Sequence, residues 1–446
     1  MCSNPKYAPE SAMKLYSAFL LFLTSAAAQA ASFPLSQAVS EAEKQSPELQ
    51  RTNSQLEELK WKRTESLSGF LPTVTASGSY LLAKRYAFFD VSFGGPVTSV
   101  PEVVPTATYG LSGRLPLFDG FQNVARYKAA SELVQAGSLG LDWARFSLDQ
   151  QVALLYFRAL GAKKLQDVAA ANLDSLEDHL KDAQAFKKAG VSTNFDVLRV
   201  EVQVSEARSA VIDAADSVAV ARQNLAEALG KTNEDRDLMG DLPVLKPEAI
   251  SGVNGMNPSD DRKDLLSLRA RADAADKLES AAGSYLVPKI FLFGDYARYN
   301  NRDNSVWSNS AFRDSYDVGL GLSWNLFDGM TSIARSKESI EQKVQAEKTL
   351  DIAQLHAVRD LELWKRKYIY FCQVYTSRES DVLKAREAVR LARAGRRVGA
   401  RTNTDLLDAE SDLLRSQAGL VNSQLGAIEA LVNVELATGR RLYNFY

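Results

Sequence analysis

The 446-residue chain holds only two cysteines and two histidines. Two thiols cannot build a disulfide framework, and two imidazoles leave little for a zinc centre or a histidine-based catalytic site. An excess of one charge is also missing: 53 Lys and Arg stand against 55 Asp and Glu, a net charge of −2. Nucleic-acid binders need a basic surplus to neutralise phosphates, so no nucleic-acid partner is expected. Outside the N-terminus no apolar run approaches the roughly 18–20 residues of a membrane-spanning helix. No nucleophile motif, phosphate loop or metal-ligand cluster occurs, so neither an enzyme nor a cofactor is expected. The remainder, 46% apolar and 24% charged, is the composition of a folded protein and excludes wholesale disorder.

Met13-Lys14 opens an apolar segment, Leu15 to Leu23, that ends in Ala28-Gln29-Ala30. A basic residue, a short apolar run and an Ala-x-Ala end predict a signal peptide over residues 1–30, cleaved after Ala30. The twelve residues before Met13 fit no part of that pattern, which makes Met13 an alternative start. Cys2 lies on the wrong side of the apolar run for lipidation, leaving Cys372 alone after cleavage.

The rest of the chain is written twice. AGVSTNFDVL around Gly190 returns as VGARTNTDLL around Gly399, 209 residues later. The same offset relates Phe118-Asp119-Gly120 to Phe327-Asp328-Gly329, and Asn224 and Gly230 to Asn433 and Gly439. Upstream the offset is 216, from Leu49 to Leu265 and from Pro72 to Pro288. The first copy therefore carries a longer loop between Pro72 and Asp119. Two repeats follow, 31–230 with strands at about 72–118 and 262–440 with strands at about 288–327. Residues 231–261, with three Pro, read as a linker of little regular structure, and 441–446 as a tail.

Within each repeat two periods alternate. Val197, Val200, Val204, Ala207, Val211, Ala214, Val218, Ala221, Leu225 and Ala228 advance in steps of three and four, an unbroken heptad seam. Adding 209 keeps the seam in small residues from Leu406 to Ala437. Proline-free stretches from about Phe121 to Ala189 and Met330 to Arg397 predict helices on the order of 100 Å long. Shorter helices at about 36–68 and 194–229 match one long helix laid end to end. Between them, Ala107 to Leu117 and Tyr316 to Leu326 alternate apolar with polar residues over ten or eleven positions, the length and pattern of outer-membrane strands. Val74–Tyr80 and Ile290–Tyr299 read as their partners. Four strands cannot close a barrel, and an open edge in lipid leaves backbone groups unpaired, so several chains must contribute.

The duplication, the helix–strand–strand–helix–helix order, the Phe-Asp-Gly after each second strand and the paired turns AGVSTNFDVL and VGARTNTDLLDA resemble the TolC-type outer membrane efflux family over about Phe33 to Arg440. The resemblance implies a mixed α and β homotrimer: a 12-stranded barrel in outer-membrane lipid continued by a periplasmic α-helical coiled-coil barrel. It implies a passive exit duct for drugs or small molecules that docks with a periplasmic adaptor and an inner-membrane transporter. The outer component of a type I secretion system has the same architecture and stays open as a reading. A surface coiled-coil stalk is a more distant one, and it leaves the two matched turns unexplained.

The resemblance places an entrance at the turns. It assigns Asp405 and Asp408 to a constricting ring, Arg401 to a clamp between coils with Asp196 as its partner, and an aromatic position of the family to Arg396. The Gly190, Val191 and Thr193 turn and the Gly399, Ala400 and Thr402 turn would receive the adaptor. A plainer reading stands beside each. Thr193-x-x-Asp196 and Thr402-x-x-Asp405 match helix capping boxes. Gly190 and Gly399 suit either helix C-caps or close backbone approach. Arg396, Arg397 and Arg401 suit either an inter-helix clamp or solvated charge. Tyr80, Tyr86, Phe88, Phe89, Tyr296, Tyr299 and Trp307 fall near strand ends, where an aromatic belt or loop packing would put them. His179 and His356 have no ligand-spaced partners and are expected to be solvated.

Overall fold

The computed structural model describes residues 33–83, 88–92, 94–101, 104–253, 262–300, 302 and 306–445. The signal segment and the side chains of Tyr86, Phe88 and Phe89 lie outside the described residues. The chain opens with two helices, α1 (Leu35–Gln45) and α2 (Pro47–Leu67). The single helix expected there is broken because Ser46 caps α2 through its hydroxyl, and Pro47 takes the first helical position, where its missing N–H costs nothing.

Strand β1 (Thr73–Tyr80) follows, then a small hairpin of β2 (Phe88–Val91) and β3 (Thr98–Pro101) in the longer loop, then β4 (Ala107–Phe118). Helices α3 (Gln122–Lys188) and α4 (Asn194–Ala228) complete the first copy. The second repeats the order with α5 (Lys263–Gly283), β5 (Lys289–Asn300), β6 (Phe312–Ser323), α6 (Thr331–Arg397) and α7 (Asn403–Thr438). The long helices α3 and α6 have 67 residues each. Left-handed backbone recurs at the same offset: Gly120 with Gly329, Phe121 with Met330, Gly190 with Gly399, and Gly230 with Gly439.

One antiparallel sheet joins the copies in the order β1-β4-β5-β6. β6 begins at Phe312 and ends at Ser323, earlier at both ends than its alternation suggested. Ser323 pairs with Lys289, and the residue before Lys289 is Pro288, which has no N–H to extend the ladder. One face of β6 carries Tyr316, Val318, Leu320 and Leu322, 66–81% exposed, while the other carries Asp317, Gly319, Gly321 and Ser323. Both outer strands, β1 and β6, keep a free edge.

The helices pack as coils, α3 with α4 and α6 with α7, while α5 lies against both α3 and α6. The α4 seam is the least exposed face of that helix, with Val197, Val200, Val204, Ala207 and Leu225 buried. Phe195, Leu198, Val202, Ile212 and Val220 stay more than half exposed on α4. Among the described residues no helix is long and apolar enough to cross a membrane.

The main core lies near the middle of the long helices, where Val152, Tyr156, Tyr368, Leu225, Ile428 and Leu431 meet Phe33. The segment after Gly230 is bound into this core, although its Pro content suggested a loose connection. Leu242, Leu245 and Ile250 are buried there, and residues Pro247–Val253 form a 3₁₀ turn. Tyr156 Oη lies 2.6 Å from the carbonyls of Phe33 and Met239, and the Tyr368 hydroxyl donates to the Lys246 carbonyl at 2.7 Å. Apolar burial and satisfied carbonyls together hold a segment that local propensity would leave free.

Arg236 closes the same segment. Its guanidinium donates to Glu41 at 2.8 and 2.9 Å and to Glu234 at 2.6 Å, and lies over the Phe33 ring at 3.5 Å. The hydrogen bonds from Arg236, with Lys231 beside them, draw the Glu41 carboxyl from 4.5 down to about 2. A carboxylate held low in the folded state stabilises above its unfolded pKa, and that stability is lost as pH falls from about 4.5 to about 2. Glu41→Gln is therefore expected to cost about 2 kcal/mol at pH 7 and little near pH 2. Thermal unfolding across pH checks this, and a cost that does not shrink in acid would contradict it.

Candidate functional site at the coil tips

The two interhelical turns share one construction. In the first, Gly190 adopts φ +73°, its N–H reaches the Lys187 carbonyl at 3.0 Å, and the Val191 N–H reaches back to Phe186 at 2.9 Å. In the second, Gly399 has φ +72°, with Gly399 N–H on Arg396 at 3.1 Å and Ala400 N–H on Gly395 at 2.8 Å. These are Schellman C-caps. A Cβ at either glycine would meet no atom within 4 Å. The glycines thus serve left-handed backbone, not close approach.

Both helices leaving the turns start with a reciprocal capping box. Asp196 Oδ2 accepts the Thr193 N–H at 3.0 Å, the Thr193 hydroxyl at 2.7 Å and the Ser192 hydroxyl at 3.1 Å. Asp405 Oδ2 accepts the Thr402 N–H at 2.8 Å, while the Asp405 N–H reaches the Thr402 hydroxyl oxygen at 3.1 Å. Hydrogen bonds from Thr193 and from Thr402 hold the two carboxyls below the usual range. Asp408 makes no cap and is exposed one turn further along α7. Arg401, also exposed, lays its aliphatic stem against Gly395. Among the described residues no ion pair joins Arg401 to Asp196 within the protomer.

About two turns above the tips lies a cluster that corrects the expectation of a solvated His179. His179 and Glu410 are each 3% exposed. His179 Nδ1 lies 3.2 Å from Glu410 Oε2, and its Nε2 lies 2.7 Å from Asn403 Oδ1. Glu410 Oε1 also accepts from the Ser175 hydroxyl at 3.0 Å and from Arg393 at 3.3 Å. Arg396 reaches both His179 and Asn403, and Asn403 donates to the Asp196 carbonyl at 3.3 Å. Burial lowers the Arg396 pKa from its ordinary value, against the pull of Asp182, Asp196 and Glu410. Arg199 donates to the Thr404 hydroxyl at 2.8 Å. These contacts fasten α3 and α4 of the first copy to α6 and α7 of the second. The signal was present: Leu176, His179 and Ala183 fall in steps of three and four, which is seam spacing. His356, by contrast, is exposed.

The geometry brings Arg396 to Asp196 and Arg401 to Asp405 at the ends of adjoining helices, with Asp408 at the margin. It supplies charge and hydrogen bonds at a narrow tip. Among the described residues no group of His, Cys, Asp or Glu is placed to hold a metal ion.

A sheet with two free edges set on paired coils of about 100 Å defines the class, a channel-forming protein of the outer membrane. The chain belongs to the outer membrane efflux protein family, which matches residues 38–231 and 259–440. It is 23% identical over 347 residues to outer membrane protein TolC of Vibrio cholerae, covering 73% of this chain and 79% of that protein. It is 24% identical over 309 residues to alkaline protease secretion protein AprF of Pseudomonas aeruginosa, covering 67% and 63%. Among solved structures, the outer membrane protein VceC of Vibrio cholerae superposes with a TM-score of 0.74 at 17% identity, over 92% of this chain and 97% of that one.

Glu410→Ala removes the acceptor that Ser175, His179 and Arg393 share. It is expected to cost about 3 kcal/mol and to raise amide hydrogen exchange over residues 175–186 and 403–412. Unchanged exchange there would mean that the apolar seam alone holds the coils.

Proposed function

We propose that the protein, exported by its N-terminal signal, acts as a homotrimeric exit duct. Three four-stranded sheets join edge to edge, β6 of one chain to β1 of the next, and close a 12-stranded barrel. The observation that carries this reading is the sheet itself: it pairs every inner strand, leaves one edge free on each side, and turns one face of exposed apolar side chains outward. Lipid tolerates neither edge unless a neighbour pairs it. The unpartnered apolar face of α4 supports the same assembly below the membrane, where a neighbouring coil would cover it.

The duct performs no chemistry of its own. It passes drugs or other small molecules delivered by an inner-membrane transporter through a periplasmic adaptor, which would seat on the Gly190–Thr193 and Gly399–Thr402 turns. The likeness to AprF, whose name records protease secretion, supports the second reading, the outer component of a type I secretion system.

Asp405 and Asp408, three residues apart near one helix start, would give six carboxylates around the trimer axis, a ring that favours cations. Capping and ring roles coexist, since a carboxylate held ionised by a cap still carries its charge. Asn at both positions keeps a cap acceptor and removes the charge. In planar bilayers the wild-type trimer is expected to conduct weakly with cation preference, and Asp405→Asn/Asp408→Asn to lose that preference. Unchanged selectivity would return both residues to capping and solvation. Absence of any pore from folded, oligomeric protein would sink the duct reading.

Among the described residues Arg401 makes no ion pair within 4 Å, although its charge helps to lower the Asp405 carboxyl, and its exposed guanidinium suits a clamp onto a neighbouring chain. Arg401→Ala is expected to raise single-channel conductance several-fold, and a wild-type value would dismiss the clamp.

A further inference from the structure

The polar pleat of the sheet carries a built groove. On β5, Phe291, Phe293 and Asp295 share one face with Ser112 and Arg114 of β4 and with Asp317 of β6, opposite the face of Tyr316, Val318 and Leu320. Register sets Phe291 against Gly321 and Phe293 against Gly319. A Cβ at Gly321 would lie 2.4 Å from Phe291 ring atoms, and one at Gly319 would lie 2.9 Å from the Phe293 ring. Both rings therefore lean across onto β6 in space that any side chain there would fill. Their centroids are 6.2 Å apart.

The Arg114 guanidinium sits 3.5 Å from the centre of the Phe291 ring. Stacking fixes the guanidinium plane and leaves its donor edge to bind an anion. Asp295 lies four residues along β5 from Phe291, about 13 Å of strand, and Asp317 stands directly across from it. A groove of about 420 Å³ runs from Arg114 to Asp295 over Phe291 and Phe293, with Thr73 and Thr75 of β1 along its side, and Asp317 stands beyond its acidic end. Positive at one end, aromatic along its length and acidic at the other, it has the charge order of an amphoteric aromatic molecule reversed.

We propose that this groove is a transit site for flat aromatic zwitterions. A carboxylate or sulfonate pairs with Arg114, the ring lies on Phe293, and an ammonium group reaches Asp295 and Asp317. The inference rests on the exit-duct reading, in which the polar pleat faces the lumen and three copies line it. Weak, repeated binding suits a conduit, which must release what it takes up.

The test is current block in planar bilayers by three probes added on the barrel side: 4′-(aminomethyl)biphenyl-4-carboxylate, biphenyl-4-carboxylate and 4-(aminomethyl)biphenyl. Arg114→Gln is expected to raise the half-blocking concentration of both carboxylates about tenfold, the loss of one charge-assisted hydrogen bond. Asp295→Asn is expected to weaken block by the zwitterion and the amine but not by the plain carboxylate. That pattern decides the matter even if Arg114→Gln fails to assemble. Equal block of wild-type and variant pores of normal conductance would overturn the site and leave the duct intact. A wild-type protein that forms no pore would remove the duct reading, and this site with it.

Discussion

Unpaired backbone groups at the edge of a sheet in lipid are the constraint from which the rest of the architecture follows. Each orphaned N–H or C=O in hydrocarbon costs several kcal/mol, so a free strand edge of about ten residues is untenable in a single chain. Among the described residues the main sheet of this chain has four strands and leaves both edges free. Pairing with further copies removes that cost, and this is what the proposed trimer rests on before any helix contact is considered. The connection from Phe118 through left-handed Gly120 and Phe121, repeated at Gly329 and Met330, then turns each second strand into a long helix. A helix of 67 residues draws most of its stability from packing of its apolar faces. It is held by the heptad seams of α4 and α7 on one half and by α2 and α5 on the other.

Duplication makes the two halves similar but not interchangeable, and the differences fall where they can matter. The α7 seam runs through Leu406, Ala427, Ala430 and Val434 and is largely buried within the protomer, whereas α4 leaves five large apolar side chains exposed. Both coils thus bury their seams inside the chain and leave other apolar side chains outside, on α4 and, at Leu355, Tyr370, Leu383 and Leu391, on α6. The inter-copy cluster of His179, Glu410, Arg393 and Arg396 locks the first coil to the second close to the tip. Any opening at the tip must either carry that cluster as a rigid unit or break a buried carboxylate's hydrogen bonds. The second course is costly, so hinge-like motion is better accommodated above or beside the cluster than through it.

Much of this was legible because its signals are long and periodic. Helix ends at Lys188 and Arg397 fall within a residue or two of their sequence boundaries, since Gly at C′ and Thr-x-x-Asp at the next start punctuate the chain unambiguously. Three things were less legible, each for a physical reason. The break at Ser46-Pro47 hid because Pro is harmless at a first helical position and the periodicity runs on through it. The segment from Lys231 to Val253 looked loose because its order comes from Tyr156, Tyr368 and Arg236, all acting across tertiary contacts. His179 looked solvated because its partners, Asn403 and Glu410, lie more than 220 residues away and nothing local announces them.

The tip residues show why a single carboxylate need not be assigned a single purpose. Asp196 and Asp405 occupy equivalent capping boxes, and each is held ionised by hydrogen bonds from its threonine. A cap consumes lone pairs but not charge, so the same geometry that starts the helix also pins a negative group in a fixed position. Near the tip the acid of the first copy is answered by Arg396 of the second, whose guanidinium lowers the Asp196 carboxyl further. The second copy also carries Asp408, which is exposed one turn beyond Asp405. Each capped acid therefore has an arginine within electrostatic reach, Arg396 for Asp196 and Arg401 for Asp405, so the charge at the tip is fixed in place by both a cap and a cation.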